Sequence, residues 1–387
     1  MKAFWYLVTL LGTFSCQQAI APGEPLHTRS SSLHTADAIY YGGDIVTMEG
    51  PTPQYVEAIV QGGGKIIFTG DQATALSMKS EKTRLIDLEG KALLPGFIDA
   101  HSHFFHTAIK LSTVNLDPPP AGNTLSIGDI QSALSAELAK HPRTENQWLF
   151  GWGYDNAMLA ENRQPTKMDL DRVSSEIPIA IYHFSSHLTV FNSRGLEVLG
   201  FNADSVDPEG GVIRRLPNSQ DPNGVIEEQA ILPVLQLLAT SARGQRLTEL
   251  LTESQRLYQS EGFTTITESA GAAHILDLLR AYADSNHLEV DLMALPLASS
   301  QDAQTTSQQF SKNYRKHFRV GGGKINLDGG SPGRTAYLRE PYFTQEAGMD
   351  PGYRGYPSIE DPAKLNAIVS SFYEVKTPIF IHALGDA

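Results

Sequence analysis

Two rhythms of apolar and polar positions divide the chain. Between residues 38 and 88, short apolar runs alternate with glycine-rich turns. Ala38-Ile39-Tyr40-Tyr41 leads into Gly42-Gly43, and Asp44-Ile45-Val46-Thr47-Met48 follows. The runs at 56–60 and 65–69 flank three glycines, and the run at 84–88 precedes Glu89-Gly90. Runs of this length bounded by turn residues predict strands, so residues 37–92 are expected to form a small N-terminal β-sandwich or sheet. After residue 92, apolar runs at 93–99, 148–152, 178–183, 263–268, 289–295, 323–328 and 377–382 read as strands. Stretches of helical period lie at 126–140, 226–240, 246–261, 273–285, 302–314 and 361–374. Strand–helix alternation implies a parallel sheet, and a barrel is its natural closure at this length. The expected class is therefore α/β, with a TIM-type barrel over 93–387. The stretch 202–224, rich in Asp-Pro, Gly-Gly and Asn-Gly pairs, predicts loops or a small hairpin inserted in that barrel.

The first residues follow neither rhythm. Lys2 and a short apolar run over 4–14 precede Ser15-Cys16. The run is too short to span a bilayer, so a cleaved leader is expected over 1–16. Leu11-Gly12-Thr13-Phe14-Ser15-Cys16 resembles a bacterial lipobox, with Thr13 and Phe14 departing from the pattern. A plain secretory leader with an incidental cysteine is the alternative. The expected localisation is export to a bacterial envelope, periplasm or cell surface, with a lipid anchor on Cys16 as the membrane attachment. Residues 17–36, rich in Ser, Pro, Gly, Thr and Ala, read as a flexible tether. Cys16 is the single cysteine, so no intrachain disulfide can form.

Composition narrows the function. At 387 residues with 41% hydrophobic and 19% charged residues, the chain can bury a sizeable core. A formal charge of −13 leaves no basic footprint for nucleic acid. A small molecule is the expected partner, and a homodimer is compatible with the sequence.

The sharpest chemical signal is Leu93-Leu94-Pro95-Gly96-Phe97-Ile98-Asp99-Ala100-His101-Ser102-His103. The apolar part reads as a buried strand. Two histidines two apart would point to one side of it and supply half of a zinc site. Two polar loop histidines are the bland alternative for an isolated pair. His106 reads as a supporting or surface residue. His382 closes the apolar run at 377–382, where it could reach a barrel mouth as a third ligand. Lys324 opens Lys324-Ile325-Asn326-Leu327-Asp328. Buried, it would have a depressed pKa and could be carbamylated to bridge two metals; exposed, it is an ordinary strand-start lysine. Glu268, ending the run at 263–268, competes as a carboxylate ligand or as a supporting group.

Taken together, these segments resemble the amidohydrolase superfamily of metallo-dependent hydrolases, in its N-substituted formamide deformylase-like branch. Also carrying the resemblance are Gly151-Trp152-Gly153-Tyr154-Asp155, His187 with Asn192-Ser193, and Asp221-Pro222-Asn223-Gly224-Val225-Ile226-Glu227-Glu228. Gly262-Phe263-Thr264-Thr265, the run 324–336 and His382-Ala383-Leu384-Gly385-Asp386 complete it. It implies a (β/α)8 barrel with a small sandwich built from both chain ends. It implies one or two Zn²⁺, or another divalent metal, on His101, His103, His382 and Lys324. It places Trp152, Tyr154, His187, Asp328 and Arg334 in motifs that shape the substrate pocket in relatives, with packing or loop support an equal alternative for each. The family also uses a later histidine and a general-base aspartate, which would fall beyond Ala387. Asp386 belongs to another motif and is not that base. The sequence thus reads as a C-terminally incomplete barrel, a fragment expected to be poorly folded or inactive alone. The implied reaction is metal-assisted hydrolysis of a non-peptide carbon–nitrogen bond, amide- or formamide-like. A non-catalytic metal-binding surface lipoprotein, or a deaminase or isomerase on the same fold, are the rival readings.

Overall fold

Glycine turns and alternating apolar positions shape the first strands as anticipated. In a computed structural model, which describes residues 35–145, 147–231, 245–344 and 349–387, the chain divides at Pro95/Gly96 into two units. The leader, Cys16 and nearly all of the tether lie outside the described residues. No helix among the described residues is long and apolar enough to cross a membrane.

The first unit contains β1 (Ala38–Val46), β2 (Tyr55–Gly62), β3 (Lys65–Gly70), α1 (Gln72–Ser77), β4 (Arg84–Asp87) and β5 (Ala92–Leu93). They form one sheet in the order β3-β2-β1-β4, with β5 also paired to β1. Along β2, Ala58 and Val60 are buried and pack with Ile39 and Ala75. That period of two is what a sheet with one covered face requires. The described residues of this unit form a single sheet, without the facing layer of a sandwich.

The second unit opens with β6 (Phe97–Ile98), α2 (Phe104–Lys110), β7 (Val114–Asn115), α3 (Ile127–Lys140) and β8 (Leu149–Tyr154). Then follow α4 (Lys167–Asp171), β9 (Ile179–His183), β10 (Leu188–Phe191), α5 (Ser193–Leu199), β11 (Gly211–Arg215) and β12 (Pro222–Glu228). The remainder is α6 (Gln245–Ser260), β13 (Phe263–Gly271), α7 (Ala273–Asp284), β14 (Asp291–Pro296), α8 (Ala303–Gln309), β15 (Phe318–Val320), β16 (Gly323–Asn326), α9 (Pro362–Glu374) and β17 (Ile379–His382). β7, β8 and β9 run parallel, as do β6, β13, β14 and β15, and as do β16 and β17. These parallel sets belong to three separate sheets, so the described residues make a mixed α/β fold without a closed barrel.

Helix α3 shows how local sequence drives the packing. Ser126 accepts the Asp129 N–H as N-cap, and Ile127, Ile130 and Leu134 form its buried stripe. The stripe packs on Leu149, Ile179 and Ile181 of the neighbouring strands. Truncating Leu134 to alanine in such a core costs about 2–5 kcal/mol.

Three expectations change. The apolar run 93–99 is not one buried strand: β5 joins the first unit's sheet and β6 the second's, and Phe97 and Ile98 are exposed. The cause is position, because among the described residues β6 is an edge strand paired only with β13. The helix expected over 226–240 begins instead as β12, and residues 232–240 lie outside the described residues. Pairing with β10 and β11 makes this stretch a strand, and Gly224 permits its close approach to Lys167 and Phe191. The Gly224 φ is +110°, and a Cβ there would meet Lys167 N at 2.5 Å and Phe191 O at 2.7 Å. The hairpin suspected within 202–224 is β11–β12, which extends to Glu228 and joins β10 in a six-stranded sheet.

Candidate metal centre

The chain leaves β6 in a turn held by its own aspartate. Asp99 Oδ1 accepts the His101 N–H at 3.2 Å, and Asp99 O accepts the Thr267 hydroxyl at 2.7 Å. His101 and His103 therefore lie beyond the strand rather than on it, and this turn brings their rings to 5.6 Å. His103 pairs through its backbone with Glu268 and immediately precedes α2. His106, one turn into α2, stacks on His103 at 5.1 Å. The Nδ1 atoms of His103 and His106 are buried without a hydrogen-bond partner.

Burial keeps these imidazoles neutral. It pulls His103 down to about 3, helped by the nearby charges of His106 and His101, and His106 down to about 4. His101 is lowered by burial first, then by Lys324 and His382. Glu268 is fully buried on β13 and pushed up to about 8 by desolvation. Its Oε2 accepts the Phe105 N–H at 2.5 Å, while its Oε1 has no partner. Glu268 therefore anchors the first turn of α2.

Strands β16 and β17 supply the other groups. Their register sets Asn326 beside His382. His382 Nε2 donates to Gly329 O at 3.2 Å, leaving Nδ1 as its free nitrogen. Burial lowers His382, with the Gly329 contact opposing. Lys324 is 3% exposed, and burial lowers its pKa. Its charge is felt by His101, His103 and His382 alike. A cavity of about 360 Å³ is lined by His101, His103, His106, His187, Lys324 and His382.

The donor set suits a divalent cation. Neutral imidazoles with free lone pairs are zinc-type ligands, and the buried, unpartnered His103 Nδ1 is a nitrogen with no protein group to satisfy it. Among the described residues, no three His, Cys, Asp or Glu side chains sit close enough together to hold an ion as they stand.

The other expected pocket residues disperse. His187 lines the cavity, its ring 5.4 Å from His382, with Glu228 Oε2 2.9 Å from its Nδ1. Trp152 is buried and stacked on Tyr182 at 4.6 Å. Tyr154 is buried and donates to Gln164 Oε1 at 2.8 Å. Asp328 accepts backbone N–H groups from Tyr337, Leu384 and Gly385 at 3.0, 3.0 and 2.6 Å, fixing the turn after His382. Arg334, at φ +58°, donates to Thr344 O at 2.9 Å. Trp152, Tyr154, Asp328 and Arg334 are not among the residues lining the histidine cavity. Asp386 accepts the Arg339 N–H at 3.0 Å. Two further cavity residues carry little weight in the sequence: His106 reads as a supporting or surface residue, and Glu228 falls in an expected helix. His106 follows His103 by one helical turn, a spacing that could have flagged it. Glu228 lies near the start of the helix expected over 226–240, whereas it ends β12, and that extended backbone sets its direction.

The chain is similar to known proteins along most of its length. A model of the amidohydrolase family matches residues 84–387. The exoenzymes regulatory protein AepA of Pectobacterium carotovorum subsp. carotovorum is 28% identical, over 93% of this chain and 76% of its own length. The amidohydrolase YtcJ of Bacillus subtilis (strain 168) is 27% identical, over 90% and 64%. The N-substituted formamide deformylase of Arthrobacter pascens is 26% identical, over 58% and 41%. The chain thus spans less than two thirds of the latter two. The crystal structure of a metal-dependent hydrolase from Pyrococcus furiosus shares the fold, with a TM-score of 0.62 at 22% identity over 90% of this chain and 67% of that one.

Proposed function

The chain belongs to the amidohydrolase family, and from that premise we propose that it acts in metal-assisted hydrolysis of a non-peptide carbon–nitrogen bond in a small molecule. One observation carries the reading: His101, His103, Lys324 and His382, distant in sequence, line one cavity. The family model and the hydrolase and deformylase names among the relatives support it. The barrel architecture is part of the proposal, supported by the fold shared with the Pyrococcus furiosus hydrolase.

A divalent cation, zinc by ligand type, would be held by His101, His103 and His382, with Lys324 as a carbamate. When bound, such an ion supplies Lewis acidity that lowers the pKa of water to about 7 and polarises a carbonyl. The chain contributes the rest. Burial keeps His103 neutral far below pH 7, so no proton competes for its lone pair. Burial likewise favours the uncharged amine of Lys324, the form that reacts with carbon dioxide. Phe184, Ile231, Leu297 and Leu384 give the cavity an apolar wall that can seat an acyl or amine substituent and exclude water. Export with an anchor on Cys16 is the proposed setting, tested by lipid labelling of Cys16→Ser.

The decisive experiment measures metal content and turnover together. A protein that joins these residues to the family's later histidine and general-base aspartate is expected to bind about one or two divalent ions and to hydrolyse some member of a panel of amides and formamides. His101→Ala combined with His103→Ala is expected to lose both. Unchanged metal content in that variant would refute the ligand assignment.

A further inference from the structure

The turn between β9 and β10 holds a group of side chains separate from the four proposed ligands. His183, fully buried at the end of β9, has its ring 5.2 Å from Tyr154 and 4.7 Å from Phe184. Its Nδ1 accepts the Ser185 N–H at 3.2 Å, so that nitrogen carries the lone pair and the ring hydrogen sits on Nε2. Asn156, also fully buried, takes that hydrogen on Oδ1 at 3.1 Å, with Asp155 Oδ1 3.8 Å away. The Ser185 hydroxyl lies 2.7 Å from His183 Nδ1 and donates to it.

The backbone fixes that hydroxyl. The His187 N–H donates to Ser185 Oγ at 3.3 Å, and the Ser186 N–H closes the turn onto His183 O at 3.0 Å. Ser186 has φ +64°, a left-handed conformation that a serine keeps only where its surroundings impose it. Ser185 lines the histidine cavity. A serine that merely closed a turn would bond backbone groups, whereas this one gives its hydrogen to an imidazole. A hydroxyl, an unprotonated ring nitrogen within reach of it, and an oxygen holding the far side of the ring are the parts of an activated nucleophile.

We propose that Ser185 is a nucleophile that takes an acyl group from a short-chain ester, with His183 as its base and Asn156 as the positioning residue. Ser185 Oγ bonds to the ester carbonyl carbon and passes its proton to His183 Nδ1. The ester C–O bond breaks, and the leaving alcohol takes that proton. Water then attacks the acyl-serine and gives a proton to His183, which returns it to Ser185 Oγ as the carboxylic acid departs. None of these groups is a proposed metal ligand, so this activity goes beyond the metal-assisted reading and does not rest on it.

The test uses the full 387-residue chain with chelator present, so that no metal takes part. Two probes are applied: an alkyl fluorophosphonate, which forms a P–O bond to an activated serine and expels fluoride, and p-nitrophenyl acetate. Peptide mass mapping is expected to place the phosphonyl group on Ser185 and not on Ser186, with urea abolishing the reaction. Ser185→Ala is expected to lose that label and the p-nitrophenol release that accompanies acylation. His183→Gln is expected to slow labelling about a hundredfold, the worth of a general base. Asn156→Leu is expected to slow it as well, whereas Asn156→Asp, whose carboxylate still accepts from Nε2, is expected to retain it. A wild-type chain left unlabelled at Ser185, or labelled equally in urea, overturns the proposal without recourse to any variant. So does an unchanged labelling rate in His183→Gln, which would mark Ser185 as a turn residue alone. The mapping on wild type decides the matter even where a buried variant does not fold.

Discussion

Replacing Glu268 with glutamine isolates the cost of burying a carboxyl beside the histidines. Glu268 has no exposed surface, one hydrogen bond from Phe105, and an oxygen with no partner. Desolvation therefore moves it from an ordinary 4.5 to about 8 in the folded chain. Below pH 4.5 both folded and unfolded chains hold the proton, and the group contributes nothing to pH dependence. Between 4.5 and about 8 the unfolded chain releases it and the folded chain does not. The unfolded state then binds fewer protons, so stability falls as pH rises. At about 1.4 kcal/mol per pH unit the full loss is about 5 kcal/mol, of which about 3 kcal/mol has accrued by pH 7. Glutamine keeps an acceptor for the Phe105 N–H and has nothing to ionise. Its amide hydrogens would be buried unpaired, a constant penalty of about 1–3 kcal/mol. The readout is therefore the slope. Urea unfolding followed through tryptophan fluorescence, with chelator present, is compared at pH 5, 6, 7 and 8. Trp152 packs in the same core as Phe104 and Phe105, so it reports on this region. The Glu268→Gln variant should gain on wild type steadily across that range. A difference that stays flat, or shrinks, refutes the claim that Glu268 is buried as the neutral acid.

Further substitutions probe the supports of the site. Asn192 is fully buried; its Oδ1 accepts the N–H groups of Ile179 and Gly195 at 2.9 and 2.8 Å, and its Nδ2 donates to Ser174 O and Ile177 O. Asn192→Ala should cost about 3 kcal/mol in urea unfolding, and a loss under about 1 kcal/mol would contradict that network's role. Asp328→Ala strips the acceptor from three backbone N–H groups and should cost about 3 kcal/mol; amide exchange should accelerate at Leu384 and Gly385, and unchanged exchange there would count against it. Gly329→Ala forces a methyl onto Glu228 and Thr335 and should destabilise by about 1–3 kcal/mol; a neutral effect would mean the pair is less closely seated than the geometry states.

Much of the framework could be read from local patterning. The stripe Ile127, Ile130 and Leu134 and the runs at 148–152, 178–183 and 263–268 each announced an element that the structure contains, because period and flanking turns act over a few residues. The strand at 222–228 escaped that logic. A polar Glu-Glu pair before an apolar stretch fits a helix start, and pairing with β10 and β11, which the sequence does not announce, decides for extended backbone. Phe97 and Ile98 failed in the opposite sense: their apolarity announced burial, whereas their place at a sheet edge leaves them exposed.

The candidate site divides the same way. His101, His103, Lys324 and His382 were visible as residue types at strand ends, since metal-ligand chemistry is written in the side chain itself. What sets Asp328 apart from His187 is not. Both stood in motifs of equal weight, yet three backbone N–H groups occupy one and the cavity receives the other. Sequence alone determined which atoms could bind; the tertiary structure decided which remain free to do so, because only folding brings the competing donors, acceptors and burial that use a side chain up or leave it open.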